Sequence, residues 1–136
     1  MNTLTRKLAT AGSALAVAAT SLLLASSPAS AATSCYGSSC NGLDPATTIC
    51  QNDAQTVMYG EYVGLELRYS PTCRAAWARF KYGDEGDIWV QNSLGNKYAV
   101  HYPGSGTVWT RMVNDKDILA RACGTFAKGT ACTPEY

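Results

Sequence analysis

From Thr56 onward the chain alternates short apolar runs with turn residues: TVMYGEY, GLELRY, CRAAWARF, DIWVQNS, KYAVHY, TVWTRMV and DILARAC. Runs of this length, rich in Val, Ile, Tyr and Trp and separated by Gly, Pro, Asn and Asp, predict strands. Their succession predicts an all-β domain, a small antiparallel sandwich or barrel. Ser70-Pro71-Thr72 reads as a type I or II turn, and 83–86, 94–96 and 103–106 read as hairpin loops, so most successive strands should be antiparallel neighbours. Two runs carry a second period. Cys73, Ala76, Trp77 and Phe80 also form a helical stripe, and residues 115–122 also fit a short helix opened by Asp115. Strand is favoured for the first run, which is short and lies between β-prone neighbours.

The hairpin of residues 64–80, GLELRYSPTCRAAWARF, brings together alternating hydrophobicity, a proline turn, a cysteine and an aromatic-basic cluster. Two registers are open to it. If Tyr69 pairs with Arg74, then Val63, Leu65 and Leu67 share a face with Ala76, Ala78 and Phe80, and Glu66, Arg68, Trp77 and Arg79 gather on the other as a candidate interaction surface. If Tyr69 pairs with Ala75, Trp77 joins Leu65 and Leu67 inside and is core. Burial is the commoner fate of a tryptophan in a small domain.

The amino-terminal part has another character. Residues 1–31 carry Arg6 and Lys7, then an apolar stretch, then Ala29-Ser30-Ala31, which predicts a signal peptide cleaved to leave Ala32 first. The apolar run is too short to span about 30 Å of bilayer hydrocarbon, so no membrane anchor is expected. Residues 32–136 are then a single secreted, extracellular domain. Its segment 33–55 is dense in Gly, Ser, Asn and Asp and predicts an irregular stretch with room for one short helical turn at Asp44-Pro45. Asn41, Asp44, Asn52 and Asp53 read as turn and cap residues, because no D-x-[DN]-x-[DN]-G calcium loop is present.

All six cysteines, Cys35, Cys40, Cys50, Cys73, Cys123 and Cys132, follow the leader, and an even number in an exported chain implies disulfides. Spacing alone leaves every connectivity open. Proximity along the chain favours Cys35 with Cys40, Cys50 with Cys73, and Cys123 with Cys132. The spacings are unlike those of structural zinc sites, and no cofactor is expected.

Charge and chemistry narrow the function. Without residues 1–31 the chain has nine basic and ten acidic residues, a balance unlike that of nucleic-acid or anionic-lipid binders. His101 is the sole histidine, so a Ser-His or Cys-His mechanism must use it. Near it, Gly104-Ser105-Gly106 lacks the first glycine of a nucleophile elbow, since position 103 is proline. The pairs Glu61 with Glu66 and Asp84 with Asp87 resemble a glycosidase acid and base only in composition. The positive signal is aromatic: Trp77, Trp89, Trp109 and eight tyrosines suit both a core and a recognition surface.

CYGSSCNGLDP, Asp53-Ala54 and ELRYSPTCRAAWAR resemble an uncharacterised family of small secreted bacterial proteins, domain of unknown function 2690. The densest agreement falls at Glu66, Arg68, Tyr69, Ser70, Cys73, Ala75 to Ala78 and Arg79. The resemblance implies a stapled, exported domain and brings no catalytic residue, cofactor or substrate. Members attached to other domains imply a recognition module. The expected function is therefore a non-enzymatic extracellular module that binds another protein, as an inhibitor or as a subunit of a secreted assembly. A glycan or cell-wall binding module and a small hydrolase using His101 are the alternatives.

Overall fold

Two antiparallel sheets stack face to face, and an irregular cap covers part of the outer side of one of them. The computed structural model describes residues 31–136; the leader predicted over 1–31 lies, but for its last residue, outside them. Among the described residues no helix is long and apolar enough to cross a membrane.

The strands are β1 (Gln55–Tyr59), β2 (Glu66–Ser70), β3 (Ala75–Lys81), β4 (Gly86–Asn92), β5 (Lys97–Tyr102), β6 (Thr107–Trp109), β7 (Val113–Asn114), β8 (Ala120–Phe126) and β9 (Gly129–Cys132). One sheet has the order β1-β2-β3-β6, with β7 also on β3, and the other β5-β4-β8-β9. The all-β prediction holds, with four corrections. Segments 83–86 and 103–106 are crossings from one sheet to the other rather than hairpin loops, because β4 does not pair with β3 nor β6 with β5. The run TVWTRMV breaks into β6 and β7. Residues 116–118 form a bend where a helix was the alternative, and β9, too rich in small residues to stand out, was not anticipated.

Leu65, Leu67, Tyr69, Ala76, Ala78 and Phe80 from the first sheet meet Ile88, Val90, Tyr102, Ala120 and Ala122 from the second. Phe80 packs edge-on to Tyr102 and stacks on Phe126, with ring centroids 4.8 and 4.7 Å away. On the reverse side of β3, Ala75 and Trp77 pack against Cys40, Cys50, Cys73 and Met112. A strand buried on both faces loses its two-residue alternation, which is why 73–80 imitates a helical stripe.

The β2–β3 register differs from both predicted alignments. Tyr69 pairs with Ala76, Leu67 with Ala78, Arg68 with Trp77 and Glu66 with Arg79. The connection is longer than a tight turn: Pro71 to Arg74 separate the paired residues, Arg74 takes a left-handed conformation (φ 50°), and its N–H donates to the Ser70 carbonyl. Two extra residues preserve the side-chain parity of the first alignment, so the Glu66, Arg68, Trp77 and Arg79 set does share one face. Val63 departs from that alignment. It precedes β2 and is 79% exposed. Next to it Gly64 (φ +93°) passes so close to Lys81 that a Cβ there would overlap the Lys81 carbonyl oxygen.

The cap runs over residues 33–54 as three 3-10 turns, Gly37–Cys40, Pro45–Thr47 and Ile49–Asp53. Asp44 opens the second, its carboxylate accepting from the Ala46 N–H at 2.9 Å, with Pro45 first in the turn. Disulfides join Cys35 to Cys40, Cys50 to Cys73 and Cys123 to Cys132. The second ties the cap to the β2–β3 turn, and the third links directly opposed residues of β8 and β9.

Candidate functional site

Cross-strand pairing assembles a polar and aromatic row on the outer face of the first sheet. Tyr59 stands opposite Glu66, Glu66 opposite Arg79, and Arg79 opposite Trp109, so the row crosses four strands. At about 4.8 Å per strand its length is about 14 Å. A second row, Thr56, Arg68 and Trp77, lies one pleat towards the cap. Arg68, Trp77, Arg79 and Trp109 line a cleft of about 260 Å³, closed on the cap side by Pro45, Ala46, Gln51 and Ala54.

The polar contacts of this cleft leave its donors in excess. Arg79 donates through Nε and Nη2 to Glu66 at 3.1–3.2 Å, and the Thr56 hydroxyl donates to the other side of the same carboxylate. Arg68 donates through Nη1 to Thr56 Oγ1 at 3.0 Å and through Nη2 to the Ala54 carbonyl at 3.3 Å, while its buried Nε has no partner. Burial, reinforced by the like charge of Arg79 and only partly offset by Glu66, pushes the Arg68 guanidinium below its ordinary pKa. Glu66 is buried and already met by three donor groups from Arg79 and Thr56, which leaves Arg68 without a carboxylate of its own.

Trp77 resolves differently from either sequence alternative: it lies on the face of Glu66, Arg68 and Arg79 and yet is only 4% exposed. The cap covers most of its ring and leaves an edge at the cleft floor. Trp109, 41% exposed, forms the rim, its indole N–H donating to Asp44 at 3.0 Å. Beyond it a second groove of about 380 Å³ is lined by Tyr98, Val100, Thr110 and Arg111. Trp109 and Tyr59 complete the row; the sequence offered them only among aromatics suited to a core or a recognition surface and did not place them beside Glu66 and Arg79. The signal that finds Trp109 is its β6 pairing with Arg79, which depends on a crossing between sheets.

Residues 38–123 match the family described as protein of unknown function (DUF2690). The chain belongs to this family. The DUF2690 match continues well past Arg79, the end of the densest sequence agreement, and takes in Arg68, Trp77, Arg79 and Trp109 of the cleft. No curated protein and no solved structure matches the chain.

The remaining candidate groups lie elsewhere. His101 is exposed on β5, with Nδ1 2.9 Å from Asp87 and Nε2 2.9 Å from Glu85. Hydrogen bonds to Asp87 and then Glu85 raise its pKa. With both ring nitrogens engaged by carboxylates, neither is free to take a proton from a nucleophile. Asp53 accepts from the Ser70 hydroxyl at 2.6 Å and the Thr72 N–H at 2.8 Å and so holds the β2–β3 turn, whereas Asn41 accepts from the Asn114 N–H and ties the cap to β7. For Asp53, burial acts to raise the pKa, but the combined hydrogen bonds outweigh it and the carboxyl titrates below its ordinary value. The sulfurs of Cys35, Cys40, Cys50 and Cys73 lie within 4.8 Å of one another, and all four are spent in two disulfides.

Asp115 is 4% exposed, and neither carboxylate oxygen has a hydrogen-bond partner among the described residues. Burial raises its pKa to about 7, against a weaker pull from Arg74. Because the unfolded chain gives up this proton near pH 4 and the folded chain holds it to about 7, stability falls as pH rises through that window. Asp115→Asn should therefore match the parent near pH 4 and exceed it by on the order of 2–4 kcal/mol at pH 8. Urea denaturation of both proteins at the two pH values checks this; equal stability at pH 8 would contradict it.

Proposed function

We propose that this DUF2690 domain is an extracellular, non-enzymatic binding module whose partner is another protein, engaged through the cleft between the cap and the outer face of β1-β2-β3-β6. The observation that carries this reading is the cleft's composition. It combines two tryptophans with two arginines against a single carboxylate, which Arg79 and Thr56 already occupy and Arg68 does not contact, and it contains no nucleophile paired with a base. Trp and Arg in a partly desolvated pocket are the residue types that dominate binding energy at protein interfaces. The disulfides support the reading twice: they are consistent with an extracellular protein, and they hold the cap wall in one conformation, which lowers the ordering cost of association.

Glycan or cell-wall binding is the second reading, favoured by the half-exposed indole of Trp109 held in orientation by Asp44. The test is a pull-down from culture medium with the oxidised protein as bait, beside Arg68→Gln and Trp109→Ala baits. Proteins retained by the parent and lost from both variants support the first reading. Retention on insoluble peptidoglycan or chitin, lost only with Trp109→Ala, supports the second.

A further inference from the structure

We infer that the cleft accommodates an acidic, extended stretch of the partner polypeptide, a Glu or Asp side chain seated on Arg68 and Arg79 with flanking apolar residues against Trp77 and Trp109. This rests on the binding-module reading above and specifies its ligand. An arginine has five N–H donors. Arg68 commits one each to Thr56 and Ala54, and Arg79 leaves Nη1 without a partner, so both guanidinium groups retain free donors at the cleft.

Acceptors are scarce by comparison. Glu66 is saturated, and the Ala46 carbonyl already accepts from the Gln51 amide N–H at 2.9 Å, which leaves the neutral Gln51 amide oxygen as the side-chain acceptor of that wall. A neutral sugar, whose hydroxyls donate as well as accept, would leave many of its own donors unanswered on such a surface. A carboxylate answers the excess charge of two arginines over one Glu, and in bidentate form it matches the planar guanidinium. It also relieves the like-charge crowding between Arg68 and Arg79.

The shape selects a polypeptide over a free anion. The row of Tyr59, Glu66, Arg79 and Trp109 crosses the width of the sheet, and the groove beyond Trp109 adds Tyr98, Val100 and a third arginine, Arg111, whose charge Asp44 offsets there. An extended chain advances about 3.3 Å per residue, so four or five residues span the row. An inorganic anion would use the arginines and leave both aromatic walls unfilled.

The test uses the oxidised, isotopically labelled protein and two pools of N-acetylated, C-amidated octapeptides. Apolar and aromatic residues are randomised around a central Glu in one pool and a central Gln in the other. The Glu pool should move the indole N–H signals of Trp77 and Trp109 with at least ten-fold higher apparent affinity than the Gln pool, and added salt should narrow the gap. Arg68→Gln should abolish the preference between pools, and Trp109→Ala should weaken both. The comparison of pools on the parent protein stands even where a variant fails to fold.

Equal response to the two pools overturns the inference, as does an equal response to inorganic phosphate alone. If chito-oligosaccharides move the same indole signals while the peptides do not, the acidic-peptide inference falls and the binding-module reading survives as a glycan binder. If no probe moves them and the pull-down is unchanged by the cleft variants, both fall together.

Discussion

Trp77→Ala should lower the stability of the domain by about 3–5 kcal/mol. The ring is 4% exposed and fills the space between β3 and the cap, touching the cluster of Cys40, Cys50, Cys73, Ala75 and Met112. Alanine would leave a cavity bounded by disulfides and backbone, which have little freedom to collapse into it. For a domain of this size each kcal/mol shifts the melting temperature by about 4–8 °C, so a drop of well over 10 °C is the expected reading. A melting temperature within a few degrees of the parent would mean that the cap does not seat on this ring. Because the same residue floors the cleft, any loss of binding in this variant reflects both effects, and Arg68 and Trp109 are the cleaner probes of recognition.

Replacing Cys50 and Cys73 together by serine should cost about 2–5 kcal/mol. The bond closes a loop of sequence separation 23, worth about 3 kcal/mol in the chain-entropy account. It is also the covalent tie between the cap and the β2–β3 turn, so its loss should loosen the cover over Trp77 and shift tryptophan emission towards longer wavelength before global unfolding. Peptide mapping should recover Cys50 and Cys73 in one linked fragment from the parent protein. The Cys123–Cys132 bond closes a shorter loop, separation 9, across strands already paired by a ladder, and its removal should cost less. Equal costs for the two removals would show that the cap gains nothing from its tether.

Local chemistry made much of the fold legible. The strand positions followed from alternation and turn residues and the turn at Asp44-Pro45 from capping chemistry, while the face shared by Glu66, Arg68, Trp77 and Arg79 was one of two parities left open. What sequence left open depends on contacts distant along the chain. The choice between a surface and a core Trp77 assumed that the sheet has one dry side and one wet side. The cap makes part of the second side dry, and nothing in GSSCNGLDPATTIC announces which strand it will cover. The register was misjudged because the Ser70 to Arg74 turn takes two more residues than a tight hairpin, held by the Ser70 hydroxyl accepting from the Cys73 N–H. Trp109 escaped the candidate surface because Arg79, its neighbour across the ladder, is thirty residues earlier in the chain.

The order in which strands join the sheets has a kinetic consequence. After β3 the chain leaves to build the β4–β5 hairpin, returns to lay β6 and β7 against β3, and leaves again to pair β8 with β4. Neither sheet can be completed before the other has begun, so the sandwich has no stretch of chain that folds as a finished half. Contacts of this separation require large loops to close before any pairing repays them, which puts the domain among chains of high contact order that fold in milliseconds to seconds. The β1–β2–β3 meander is the local exception, joined by short connections and anchored through Cys73 to the cap. If folding starts from this meander, stopped-flow kinetics should show core substitutions at Leu67 or Ala78 slowing folding, whereas equally destabilising changes in β8 or β9 should chiefly speed unfolding.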